Sequence, residues 1–244
     1  MIVCENLVKN YDGKRVIDKV SFSIKQGEII VVTGPSGAGK STLLRIASLI
    51  ENPNEGKVKI DSREYQFDGK ANGKIREQFP NVGVVFQNLF LWPHLTNREN
   101  ILMPLKEKYN SATESEFENL IQLFSLTDFL NKYPNQCSLG QRQRIALVRA
   151  FLLNPQYLFL DEITSSLDIE QIGVLLNYLR TLKDKGKAIF LITHFLKFAH
   201  LAADQIIFME HGKIVEHGGK EILVAPKTER LNQFLNTLEY IISK

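Results

Sequence analysis

Apolar and polar positions alternate through the first thirty-one residues, in "IVCENLVKNY" and again in "VIDKVSFSI". A period of two is the mark of a strand with one buried face, so these stretches predict antiparallel strands with a turn at Asp12-Gly13. The pattern then becomes a continuous β-branched run, "EIIVVTG" (28 to 34). That fits a strand buried on both faces, and a helix is predicted from Lys40. "GKVKID" and "YQF" predict short strands, and "VGVVFQ" (82 to 87) another buried one. From Asn88 to Leu153 the strand signals give way to helical ones, in "NRENILMPL", "ATESEFENLIQLF" and "LGQRQRIALVRAFLL".

Strand and helix alternate once more after that. "QYLFLDE" predicts a strand, "DIEQIGVLLNYLRTLKDKG" a helix with a glycine stop, "KAIFLITH" a strand and "FLKFAHLAA" a helix. "QIIFMEHGKIVEHG" predicts a hairpin turning at His211-Gly212, and "KTERLNQFLNTL" a last helix. The order predicts one domain over residues 1–244. Residues 1–87 and 154–244 form an α/β core with a parallel sheet and an antiparallel β portion in front, and 88–153 form a helical subdomain.

Composition changes this picture little. The chain has 244 residues, 44% apolar and 23% charged, within the ordinary range for a globular protein. The net charge of +3 is spread along the chain, which argues against nucleic acid as a main ligand. The two cysteines, Cys4 and Cys137, are too far apart for a metal signature and suggest no disulfide framework, so a reducing cytosol is expected. The start, "MIVCENLVKNY", lacks the basic and apolar regions of a signal peptide. No run of about 18 apolar residues occurs, so a membrane role needs a partner chain.

The strongest chemical signal is "GPSGAGKST", which fits G-x-x-x-x-G-K-[ST] between a buried strand and a helix. It comprises Gly34, Pro35, Ser36, Gly37, Ala38, Gly39, Lys40, Ser41 and Thr42. Glycines let the backbone wrap a phosphate, and the amides of residues 37 to 40 become donors at a helix N-terminus. Lys40 is expected on the β- and γ-phosphates of a nucleoside triphosphate, and the Ser41 hydroxyl on Mg²⁺. "YLFLDE" sets Asp161 at the carboxyl end of a buried strand, expected beside the phosphate-loop strand, where a carboxylate holds Mg²⁺ through water. Glu162 follows and is a candidate to polarise the attacking water. His194 ends the strand "AIFLITH" and is a candidate donor to the γ-phosphate. A second anion site is suggested by "QCSLGQRQRIALVRA" (136 to 150), a polar loop running into a helix.

Together these segments resemble the nucleotide-binding subunit of ABC transporters over essentially the whole chain. The resemblance implies a P-loop NTPase with a RecA-like core, an antiparallel β subdomain and a helical ABC-specific subdomain. It implies ATP and Mg²⁺ as ligands and an ATPase activity. Tyr11 takes the place of the aromatic that stacks on adenine, with Val16 beside it. Gln87 corresponds to the glutamine that approaches Mg²⁺ and the attacking water and senses the membrane partner. Asp161 and Glu162 correspond to the metal-holding and catalytic carboxylates, and His194 to the switch histidine. Ser138, Gly140 and Gln141 correspond to the signature loop, and Asp168 ends the "SSLD" of the D-loop. In the family two subunits pack head to tail, so the second anion site implies a second copy of this chain whose ATP it covers.

The chain departs from the usual pattern at three places. Leu139 stands where the signature loop usually has its first glycine. Phe195 follows the histidine where an acidic residue is usual, and Ile169 follows the D-loop where proline is common. "VVFQNLFLWPHLTNREN" and "ADQIIFMEHGKIVEHGGKEIL" resemble the subgroup that energises bacterial uptake of polar amino acids. That implies permease subunits as partners, a periplasmic solute-binding protein indirectly, and a peripheral position on the cytoplasmic face of the inner membrane. An exposed patch over Phe90–Trp92 is expected to receive the permease. The alternative is an ABC ATPase of the lipoprotein-release or cell-division type, doing mechanical work on a membrane partner.

Overall fold

The alternating start builds a hairpin. In the computed structural model, which describes residues 1–68, 81–105 and 110–242, β1 (Ile2–Tyr11) pairs antiparallel with β2 (Lys14–Ile24). The turn falls at Asp12-Gly13, both with positive φ, as a two-residue hairpin loop requires. β4 (Glu55–Ile60) and β5 (Arg63–Asp68) join them in a four-stranded antiparallel sheet of order β2-β1-β4-β5.

The continuous apolar runs form a second sheet. Its strands are β3 (Ile29–Thr33), β6 (Val82–Val85), β7 (Tyr157–Asp161), β8 (Ala188–Ile192), β9 (Gln205–Glu210) and β10 (Lys213–Gly219), in the order β10-β9-β3-β8-β7-β6. All neighbours are parallel except β10, which returns antiparallel beside β9 through the turn at His211-Gly212. Every residue of β3, β7 and β8 is buried.

The reason is that both sheet faces are covered, so the period-two pattern is hidden under apolar residues on each side. Ile29, Val31, Leu158, Leu160, Ile189 and Leu191 face a core built mainly with helices. Their alternate neighbours Ile30, Val32, Phe159, Phe190 and Ile192 face a core shared with the antiparallel sheet. Burial of each such side chain stabilises the fold by roughly 1.5–3 kcal/mol. The short helix α1 (Lys40–Ala47) belongs to this second core through Leu43, Leu44, Ile46 and Ala47.

Between β6 and β7 the described residues hold helices and no strand. These are α2 (Asn97–Leu102), α3 (Ser111–Leu123) and α4 (Leu139–Leu152). After β7 come α5 (Ile169–Asp184), α6 (Leu196–Ala202) and, past β10, α7 (Glu229–Ile242). α2 starts with a capping box between Thr96 and Glu99. Arg230 on α7 pairs with Glu210, and the Glu216 carboxylate accepts the amides of Lys227 and Thr228, fastening the last helix to the sheet.

Two expectations need correction. The strand predicted over 82–87 ends at Val85, because the ladder with β7 closes at Val85↔Leu160 and Phe86 and Gln87 run past it. The Asp161 strand is not beside the phosphate-loop strand either. β8 lies between them, with Ile192 opposite both Asp161 and Val32. Strand spacing of about 4.8 Å therefore sets the two main chains about 10 Å apart, with the His194 segment in the middle.

Candidate functional site

The ends of four strands, β3, β6, β7 and β8, converge on a cleft of about 520 Å³, lined by Val16, Ser36 through Thr42, Gln87, Glu162 and His194. The loop from β3 to α1 forms its floor. Gly34 starts this loop at φ 143°, and a side chain there would place its Cβ 2.0 Å from the Met209 carbonyl oxygen. Only glycine fits so tight an approach. α1 begins at Lys40, so the first-turn amides of a helix open into the cleft. The Ala38 amide is already committed within the loop, donating to the Pro35 carbonyl at 3.3 Å.

The Lys40 ammonium donates to the carbonyls of Gly34 (2.8 Å) and Pro35 (2.9 Å). Burial pushes its pKa down, and the charges of Glu162 and Asp161 oppose that shift. It is a cation held in reserve by neutral acceptors, which an anion in the cleft outbids.

Asp161 is buried beneath the cleft at the end of β7. Burial is the largest influence on it and raises its pKa, the neighbouring Glu162 adds to this, and the Ser41 hydroxyl, Arg45 and Lys40 work against it. Its Oδ1 has no hydrogen-bond partner. A buried, unsatisfied carboxylate oxygen beside a serine hydroxyl is a hard-oxygen pair of the kind Mg²⁺ takes. With nothing bound, that charge costs stability. A raised carboxylate pKa means the folded state binds its proton more tightly than the unfolded chain, so stability is lost as pH rises past the unfolded value. Asp161→Asn should therefore raise the melting temperature of the nucleotide-free protein at neutral pH, on the order of 2–4 °C per kcal/mol relieved. Calorimetry of both proteins without Mg²⁺ checks this, and a lower melting temperature in the variant would contradict it.

Glu162 stands just past the strand, with φ at +52°. A left-handed conformation in a non-glycine residue costs of order 1–3 kcal/mol and persists only where surroundings enforce it. Here the Glu162 amide donates to the Ile192 carbonyl (3.0 Å), and its own carbonyl accepts from Gln143 Nε2 (3.3 Å) and Ser165 Oγ (3.1 Å). The result aims the carboxylate into the cleft, where it receives Gln87 Nε2 at 3.1 Å and His194 Nε2 at 2.7 Å. Below His194, Thr193 Oγ1 lies 3.1 Å from Thr164 Oγ1 and accepts the Phe195 amide, locking the segment.

An ABC transporter family model matches residues 17–165. The arginine transport ATP-binding protein ArtM of Bacillus subtilis (strain 168) is 38% identical over 242 residues, covering 98% of this chain and 100% of that one. The L-cystine import ATP-binding protein TcyC of the same organism is 35% identical over 243 residues, covering 98% of each chain. A solved dimeric ATP-binding cassette in a post-hydrolysis state, bound to ADP and Pi, superposes with a TM-score of 0.80 at 31% identity, covering 90% of this chain and 99% of that one.

The chain belongs to the ABC transporter family. It is an ATP-binding subunit and an ATPase with a P-loop NTPase fold. Of the residues expected to touch nucleotide, Val16, Ser36 to Thr42, Gln87, Glu162 and His194 line one cleft, and Gly34, Pro35 and Asp161 underlie it.

Tyr11 does not line the cleft. It ends β1 with its hydroxyl donating to Glu51 Oε1 at 2.5 Å. Ser138, Gly140, Gln141 and Asp168 lie outside the cleft as well. Ser138 caps α4 in a capping box, accepting the Gln141 amide (3.2 Å) while Gln141 Oε1 accepts the Ser138 amide (2.8 Å). That leaves the amides of the first helical turn, at Leu139 and Gly140, at the open end of the helix. Asp168 caps α5, accepting the Gln171 amide at 2.8 Å. The two caps adjoin, since a Cβ at Gly140 would sit 2.5 Å from the Ser166 carbonyl oxygen.

The aromatic patch after Gln87 is only partly open. Phe90 is 65% exposed at φ +46°, but Trp92 is half-buried under the Arg149 guanidinium, 5.2 Å from its ring. Arg149 also donates to the carbonyls of Leu89 (2.7 Å) and Phe90 (2.9 Å), tying the segment to α4.

Sequence reasoning passed over Gln143 and Thr193. The signal for Gln143 was present, since it stands in the stripe that runs on through Ala146, Leu147 and Ala150 of α4, and a polar residue on a buried stripe has a polar partner.

Proposed function

We propose that this chain is the ATP-hydrolysing subunit of an importer for polar amino acids, working as a head-to-tail pair with a second copy. The observation that carries the reading is the Glu162 carboxylate held between Gln87 and His194 above a phosphate loop, in a chain similar along 98% of its length to amino-acid transport ATPases.

Triphosphate enters the cleft along the first-turn amides of α1. Lys40 leaves the two loop carbonyls for the β- and γ-oxygens, with no change in the number of its strong bonds. Ser41 and Asp161 would hold Mg²⁺, with Gln87 near it, and a bound metal would supply neutralisation of charge on the phosphate oxygens. Glu162 takes the role of orienting and deprotonating the attacking water, and His194 Nε2 the role of donor to the γ-phosphate. Tyr11 supplies the ring face for adenine and Val16 an apolar wall. The Ser138 hydroxyl and the Gly140 amide close on the partner copy's γ-phosphate, supported by the dipole of α4, with Gln141 holding that loop. Asp168 fixes the segment between the two copies.

Among the described residues no helix is long and apolar enough to cross a membrane. In this reading the chain works with permease subunits, with a periplasmic binding protein behind them, from the cytoplasmic face of the inner membrane. Phe90, exposed on a segment continuous with Gln87, offers the permease an apolar contact.

Deleting the gene for this chain in its own organism and measuring uptake of labelled amino acids tests the assignment. Loss of uptake for one polar class, restored by the wild-type chain but not by Lys40→Ala, is expected. Intact uptake of every amino acid with mislocalised lipoproteins or failed division would refute it. In the purified chain, ATP hydrolysis should fall to background on removal of Mg²⁺ with EDTA and return when Mg²⁺ is restored, as phosphate release reports.

A further inference from the structure

We propose that Glu51 is the positioning residue for the nucleotide base: through a cluster with Lys9 and Arg45 it fixes the Tyr11 ring beside the cleft. The proposal rests on the reading of Tyr11 as the adenine contact.

Tyr11 ends a strand at a two-residue turn and is 37% exposed. A ring at such an edge has rotamers to choose from, and ordering it on binding weakens affinity. This ring is ordered beforehand. Its hydroxyl donates to Glu51 Oε1 at 2.5 Å, and the Lys9 ammonium lies 5.2 Å from its centroid. Glu51 also accepts Lys9 Nζ on Oε1 (2.8 Å) and Arg45 Nε on Oε2 (3.0 Å).

The carboxylate is itself fixed by the chain, since the Glu51 amide donates to the Arg45 carbonyl just past α1. Arg45 extends the cluster to the nucleotide site. Its Nη2 donates to Thr42 Oγ1 at 3.1 Å and lies 3.5 Å from the Tyr11 hydroxyl, and Thr42 lines the cleft. One carboxylate thus ties the ring to the helix that holds the phosphates. Burial pushes the Glu51 carboxyl up, but the bonds from Lys9, Tyr11 and Arg45 outweigh it and hold the group below its ordinary range. It stays ionised at neutral pH. Both carboxylate oxygens of Glu51 are taken up by Tyr11, Lys9 and Arg45, so it acts through Tyr11 rather than on the ligand.

The test compares two ligands on the full chain in the presence of Mg²⁺, ATP and inorganic tripolyphosphate, which lacks a base. Removing Glu51 also frees two cations, which attract both polyphosphates alike, so the ratio of the two dissociation constants is the readout. Glu51→Ala and Tyr11→Phe both keep the ring and release it. Each should weaken ATP relative to tripolyphosphate by about three- to tenfold. The double variant should be no worse than either single one, and Glu51→Gln, which keeps an acceptor for the hydroxyl, should recover most of the loss. An unchanged ratio in Glu51→Ala overturns the proposal, as do additive effects in the double variant. Tyr11→Ala separates the two levels. If it leaves the ratio untouched, the assignment of adenine to Tyr11 fails. If it weakens ATP relative to tripolyphosphate while Glu51→Ala does not, only the role of Glu51 fails.

Discussion

Glu162→Gln should lower ATP turnover about a hundred- to a thousandfold while leaving ATP affinity within a fewfold of the parent chain, the loss expected when a positioned base is removed. Glutamine has the shape of glutamate, and its amide oxygen still accepts a hydrogen bond from Gln87 or His194, which now bind opposite oxygens of the carboxylate. The backbone at φ +52° is held by Ile192, Gln143 and Ser165, none of which touches the side chain's end. The substitution therefore changes the capacity to take a proton and little else. The phosphate loop, Lys40 and Ser41 bind triphosphate without Glu162, so binding and turnover separate. Steady-state phosphate release and equilibrium nucleotide binding, measured on the same preparation, check this. Turnover within tenfold of the parent would show that another group activates the water.

What the sequence disclosed and what it hid divide along physical lines. Period and run length report how many faces of a strand are covered, and they located β1, β2, β3, β7 and β8. They carry nothing about which strands become neighbours, because that choice depends on crossover paths of the whole chain. So the insertion of β8 between β3 and β7 was not visible, although it brings His194 between the phosphate loop and Glu162. The phosphate loop was legible because its chemistry is local, with nine consecutive residues wrapping one anion. The Glu162 environment was legible only in its side chains. Two of the three bonds that hold its left-handed backbone, from Gln143 and to Ile192, come from segments nineteen or more residues away.

The three departures from the family pattern take simple structural positions. Leu139 is the first residue of α4, absent from the residues with positive φ, and its side chain is 53% exposed. Ile169 is the first residue of α5 and 87% exposed. A first helical position favours proline but does not demand it. Phe195 precedes α6 and gives it no side-chain cap, which an acidic residue would supply at about 0.5–2 kcal/mol. None of the three lines the cleft of the phosphate loop and Lys40, so their cost is expected to fall on local stability rather than on the chemistry.

Gly140 is the opposite case, since its side chain is absent for a reason the structure makes plain. It lies in the first turn of α4 with ordinary backbone angles, so alanine meets no conformational penalty there. Its Cβ, however, would stand 2.5 Å from the Ser166 carbonyl oxygen, closer than such contacts allow. Either the start of α4 or the Thr164–Asp168 segment must retreat, and both flank the face assigned to the partner copy's ATP. Gly140→Ala should lower turnover tenfold or more, about 1.4 kcal/mol of barrier at least, with ATP binding to its own phosphate loop unchanged. Leu139→Gly, next to it, should stay within about threefold, because that side chain points outward.

If each active site combines one copy's phosphate loop with the other's signature loop, defects in the two parts complement each other. Lys40→Ala spoils its own loop but keeps a sound Ser138 and Gly140, and Gly140→Ala does the reverse. Each variant alone is expected to turn over at a tenth of the parent's rate or less. In an equal mixture half of the pairs are mixed, and each mixed pair holds one intact site of two, so about a quarter of the parent's turnover should return. Phosphate release from the mixture, against each variant alone, measures it. A mixture no more active than its components would mean that the two loops serve the same copy, and the head-to-tail assembly would have to be abandoned.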